Sequence, residues 1–169
     1  GKQPLDVLFL MSDNTNSMPA LARLLGTQFL GCDSHRLALF VKAALKLHDD
    51  DDDDSSNHIV SKIKRLMKKL RSSNKAGALR QSVNLKPIVS NATRWSSVYQ
   101  MLHRYTIIHK YIDTDDADIV PFLLSPIEHQ RIKETVKELK KIDEVTMLLQ
   151  SESITKSEAR VLLNGVCEL

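Results

Sequence analysis

The sequence predicts an α+β chain that is predominantly helical, with one or two short strands followed by about six helices. Three observations carry that reading. A short apolar run near the beginning is bounded by turn formers, the pattern of a strand. Beyond it, apolar residues recur at helical spacing in several stretches. Helix-forming Leu, Lys, Ala and Arg are abundant, while aromatics make up only 5% of the 169 residues. A chain of that length is one ordinary domain, long enough to bury a core.

Leu5 to Met11 is the apolar run, ending at Ser-Asp-Asn, and suits a buried strand. Asn16 or Ser17 can cap a helix with Pro19 in its first turn, running to about Leu25 and stopping at Gly26. Gln28 to Gly31 fits a second, very short strand. Ser34 opens a helix with Leu37, Phe40, Val41, Ala44 and Leu45 on one face. It ends in six adjacent aspartates, Asp49 to Asp54, which repel one another and resist burial, so 49–57 reads as an acidic solvent loop.

A basic helix follows: Ile59, Ile63, Leu66 and Leu70 share a face, surrounded by Lys62, Lys64, Arg65, Lys68 and Lys69. Ser72 to Ser90 has little periodicity and reads as mostly irregular. Thr93 can cap a long helix carrying Trp95, Val98, Met101, Leu102, Tyr105, Ile108 and Ile112. After Pro121 and Pro126, Ile127 to Leu149 is the cleanest helix, with Ile132, Val136, Leu139, Ile142, Val145 and Leu149 as its seam. Thr155 begins a last helix through Leu162. Two strands make a poor sheet, since about three are needed for one that is stable alone. Either the strands pair with something else, or the helices carry the stability.

Charge is sorted along the chain more sharply than the net +3 suggests. From Ser55 to Ile112 no residue is acidic and twelve are Lys or Arg, with acidic runs on both sides. The basic block is a candidate polyanion surface, set against the plainer reading of a solvated helix face. No apolar run approaches the roughly 18 residues of a membrane helix. Leu8 to Met11 is also too short for a signal-peptide core, so a soluble intracellular protein with no membrane partner is expected. Cys32 and Cys167 are isolated, which excludes a disulfide framework and a thiolate zinc site.

An aspartate leaving a buried strand, as Asp13 does, is where metal-dependent phosphoryl-transfer enzymes place a ligand; a turn is the plainer reading. Three segments bear on it. Leu10 to Met18 carries Asp13-Asn14-Thr15-Asn16-Ser17-Met18, which is similar to Asp-Asn-(small)-x-Asn-x-Met but one residue shorter. Gly31 to Leu39 carries Cys-x-x-His-x-Leu-x-Leu, and Asn91 to Arg104 carries Thr-Arg-Trp-x-Ser-x-x-x-Met-Leu-x-Arg. In this order, with a basic helix between the second and third, the chain resembles the hAT family of DNA transposases over nearly its whole length.

That resemblance implies a truncated ribonuclease-H-like segment over residues 1–48 and an insertion-like helical region over 58–169. Asp13 matches the second of three metal-binding carboxylates, and His35 the motif histidine near the active site. Arg94 and Trp95 match a pair that contacts DNA near the cleaved end, and Lys62, Arg65 and Lys69 of the basic helix extend the nucleic-acid surface. The parent family uses Mg²⁺ or Mn²⁺. The departures are as informative. Asp6 opens the strand and is a poor substitute for the first carboxylate, and no third is present. Ala38 replaces a common asparagine, and the aspartate run is an unusual insertion. Asp13 alone is an incomplete metal site, so no cofactor is expected to bind stably.

Plainer readings stand beside these. Cys32 and His35 lack the further ligands of a zinc site and the third group of a nucleophilic pair. Cys32 suits a small buried hydrophobe, and Trp95 suits core packing, which can coexist with a DNA role. Glu134 and Glu138, among lysines, read as a solvated helix face, and the aspartate run lacks the spacing of a calcium loop. Three functions follow as expectations. The first is a transposase-derived fragment, nuclear, inactive as a nuclease, with residual DNA contact. The second is a helical scaffold that recruits another protein chain or a second copy through a strand edge or the Ile132–Leu149 seam. The third is an enzyme completed in trans by other chains.

Overall fold

The computed structural model describes residues 7–45, 59–91 and 95–167. Among them the chain is predominantly helical, with seven α-helices and one two-stranded parallel sheet. The order is β1 (Phe9–Ser12), α1 (Ser17–Leu24), β2 (Gln28–Gly31), α2 (Asp33–Ala44), α3 (Ile59–Leu70), α4 (Ser73–Val83), α5 (Trp95–Ile108), α6 (Pro126–Leu149) and α7 (Lys156–Cys167). Short 3-10 turns lie at His109–Tyr111 and Val120–Phe122. No helix of the described residues is long and apolar enough to cross a membrane. The acidic loop, Asp6, the Thr93 cap and Arg94 fall outside the described residues.

The chain divides into two compact units. One joins Gly1–Lys46 to Glu144–Leu169; the other is Leu47–Asp143. The expected helical region, 58–169, is thus shared between them.

In the first unit, β1, α1 and β2 form a parallel βαβ unit with Phe9 beside Gln28 and Ser12 beside Gly31. Gly26 turns the chain after α1 at φ +63°, which a side chain would disfavour. α1 packs on both strands. β1 is shorter and more open than expected: Leu8, Phe9 and Met11 are exposed, while Leu10 and Ser12 are half-buried. An apolar run signals a strand, but burial also needs a neighbouring layer, and α1 can cover only one face of the pair. α2 buries Ser34, Leu37 and Val41, whereas Phe40, expected on that face, is exposed. α7 starts at a capping box: the Thr155 N–H and hydroxyl both donate to Glu158 Oε2 (2.8 and 2.6 Å), and the Glu158 N–H approaches Thr155 Oγ1.

The second unit is built on α3. Its apolar face (Val60, Ile63, Leu66, Met67 and Leu70) is buried, and the helix packs against α5 and α4. α5 buries Trp95, Val98, Met101, Leu102, Tyr105 and Ile108. Each fully buried aliphatic side chain in this core contributes about 1.5–3 kcal/mol. The α4 segment, expected to be mostly irregular, is helical because Ala76 and Leu79 bury against its neighbours. Lys75 fastens it further, holding Asp116 at 2.6 Å and Asp118 at 3.2 Å. Asn84 ends α4 in the left-handed conformation. At the start of α6, the Ser125 N–H donates to Glu128 Oε2 at 2.7 Å in a second capping box.

Candidate functional site

Parallel pairing brings the carboxyl ends of β1 and β2 to the same edge of the sheet, with Ser12 beside Gly31. Asp13 follows β1 directly and is exposed. Its Oδ1 accepts hydrogen bonds from the Thr15 hydroxyl at 3.0 Å and the Ser12 hydroxyl at 3.5 Å. Asn14 is half-buried and donates from Nδ2 to the Cys32 carbonyl at 3.4 Å. This bond ties the turn after β1 to the turn after β2. It also explains Gly31: a Cβ there would run into the Asn14 amide.

A second carboxylate stands at this edge, and sequence reasoning missed it. Asp33 is the first residue of α2, half-buried, with its Oδ2 2.7 Å from Lys156 Nζ and its Oδ1 4.0 Å from Arg36 Nη1. Lys156 also donates to the Gly31 carbonyl at 3.0 Å. The recoverable signal was repetition: Asp33 follows the second strand much as Asp13 follows the first. Lys156 carried no signal, since it lies far along the chain. His35 sits half-buried in the first turn of α2, at the same strand ends, and Cys32 is half-buried rather than fully so.

These donors do not fit a two-metal centre. Such a centre needs two or more carboxylates bridging closely spaced cations. Among the described residues no three of His, Cys, Asp and Glu come within reach of one ion. The Asp33 carboxylate is already neutralised by an ammonium group.

The expected DNA-contacting residues belong to the second unit. Trp95 is buried, only 6% exposed, so its indole offers little face for a base to stack on. Lys62 is half-buried and paired with Glu128 at 3.3 Å. The Glu128 carboxyl is held below its ordinary range by the Ser125 N–H and hydroxyl, then by Lys62. Arg65 lies over the Phe122 ring, 5.6 Å from its centroid. Lys69 is exposed, as are Lys68 and Arg71 beside it at the end of α3. The outward-facing cations are therefore at the carboxyl end of this helix, where they also complement its dipole.

The same unit holds a titratable group that the sequence did not signal. The Tyr105 hydroxyl and His129 Nδ1 are hydrogen-bonded at 3.2 Å, and His129 Nε2 is buried without a partner. His109 Nδ1 donates to the Thr106 carbonyl at 2.9 Å. Burial pushes the Tyr105 hydroxyl up to about 12, with Glu128 adding to it.

Compared with protein-family models, with curated proteins and with solved structures, the chain matches none.

Proposed function

We propose that this chain is a transposase-derived, hAT-like, ribonuclease-H-like protein that does not cut DNA by itself and contacts it through the end of α3. The observation that carries the reading is Asp13 at the carboxyl end of one of two parallel strands joined through a helix. Ligands of open parallel sheets gather outside those strand ends. His35, in the first turn of α2 after β2, lies at the same edge, and the order of the three motifs supports the reading. Inactivity follows from the donors: Asp33 is held by Lys156, and one exposed aspartate does not support two-metal chemistry. DNA contact follows from Lys68, Lys69 and Arg71, whose exposed charges suit a phosphate backbone.

Titrating labelled duplex and single-stranded DNA at low and moderate salt tests the contact. Binding that weakens steeply with salt is expected, and no binding at low salt would remove that part of the reading. A Mn²⁺-dependent nicking assay tests the rest. Cleavage that is lost in Asp13→Asn would show a working site and overturn the inactivity.

A helical self-association scaffold is the second reading. It is favoured by Leu148 and Val161, which stand exposed and line an apolar groove of about 500 Å³ in the first unit. Sedimentation across a concentration range decides it, since a monomer throughout excludes self-association.

A further inference from the structure

We propose that a pocket beside the end of β2 binds the phosphate of a small phosphorylated molecule, of the size and chemistry of a nucleoside monophosphate. The cavity, about 430 Å³, lies wholly within the first unit and is lined by Arg36, Lys156, Arg160 and Asp33, with Phe29 and Leu163 among its apolar walls. That volume falls in the range of small-ligand sites, roughly 300–1,000 Å³.

The charges argue for an anion. Lys156 and Arg160 stand one turn apart on α7, with Leu163 continuing the same face. Both line the one cavity, so the face of α7 turned to it carries two cations. Arg36 enters from α2, and its guanidinium comes close to Gly31. Three cations face one carboxylate, and that carboxylate, Asp33, is neutralised by Lys156 at 2.7 Å. Two positive charges are left, the complement of a phosphomonoester dianion. Guanidinium groups present paired N–H donors that match phosphate oxygens. Phe29 supplies an aromatic surface on which a base or another flat group can pack.

The pocket residues belong to one unit and the α3 cations to the other. Lys69→Gln therefore tests the α3 contact without touching this pocket.

The experiment is an amide NMR titration of the full chain at constant ionic strength, with deoxyadenosine monophosphate, inorganic phosphate and deoxyadenosine as separate probes. Saturable shifts confined to the backbone around Gly31–Arg36 and Lys156–Arg160 are expected. The monophosphate should bind tightest, inorganic phosphate more weakly, and deoxyadenosine weakest. Arg36→Gln with Arg160→Gln should weaken monophosphate binding by about tenfold or more. Arg160→Lys, which keeps the charge and the fold, should retain most of it, and Arg23→Gln, an exposed cation elsewhere in the same unit, should change nothing. Shifts that do not saturate, that spread over exposed lysines, or that match for monophosphate and deoxyadenosine would overturn the proposal. So would unchanged affinity in the double variant.

Discussion

The imidazole rings of His109 and His129 lie 4.0 Å apart, centroid to centroid, tilted 37° to one another. The pair sits against Tyr105, whose ring meets that of His129 edge-on. Burial holds His129 below its ordinary value, and the charges of His109 and Lys133 push in the same direction. A proton on His129 is therefore disfavoured.

Stability should consequently fall on the acid side of neutrality. A histidine whose folded pKa is depressed takes up its proton more readily in the unfolded chain. Its contribution is present above the unfolded value, about 6.5, and is lost as pH falls through that value toward the folded one. Urea midpoints measured from pH 8 to 5.5 should decline, and His129→Gln should flatten the decline. A midpoint independent of pH over that window would refute the depressed value of His129.

Gly31→Ala should destabilise the first unit by about 1–3 kcal/mol, because the added methyl displaces the Asn14 amide from the Cys32 carbonyl. In Asn14→Ala the obstruction is gone, so the cost of adding the methyl should be smaller in that background. Strictly additive effects of the two substitutions would mean that the residues do not meet.

Trp95 should behave as a core residue. Its fluorescence should be blue-shifted and resist acrylamide, and saturating DNA should leave it nearly unchanged. Trp95→Ala should cost about 3–5 kcal/mol in chemical denaturation. Strong quenching on DNA addition would instead place the indole in the contact.

The cations of α3 should separate into two classes. Lys69→Gln and Arg71→Gln should each weaken DNA binding and reduce the salt slope by about 1. Lys62→Gln should act mainly on stability, because that side chain is engaged with Glu128. An equal effect of all three on the salt slope would show that the Lys62 pair opens on DNA.

α3 was legible in the sequence because Ile63, Leu66 and Leu70 repeat at helical spacing between charges, so local pattern and burial agree. α4 was not, because among its described side chains only Ala76 and Leu79 are buried, too little to make a period. An ion pair from Lys75 to a distant acidic turn completes its hold. Asp13 was legible as a strand-end carboxylate. Asp33 became its counterpart only once parallel register set Ser12 beside Gly31, and Lys156 reached it from the far end of the sequence. Openness of β1 was illegible for a different reason: composition tells which residues favour burial, whereas covering them depends on the layers available.

The contact between Lys156 and Gly31 spans 125 positions, and the bond from Gln150 to the Ser34 hydroxyl spans 116. The second unit is a single uninterrupted stretch, whereas the first is assembled from two segments on either side of it. Loop-closure entropy grows with the logarithm of the separation, by about 0.6 kcal/mol for each doubling, and such non-local contacts slow folding. On a ribosome, Leu47–Asp143 can emerge and fold before α7 exists, while the end of β2 must wait for Lys156 to reach the Gly31 carbonyl and Asp33. The order of synthesis therefore makes the carboxyl end of the strand pair the last part of the molecule to be completed.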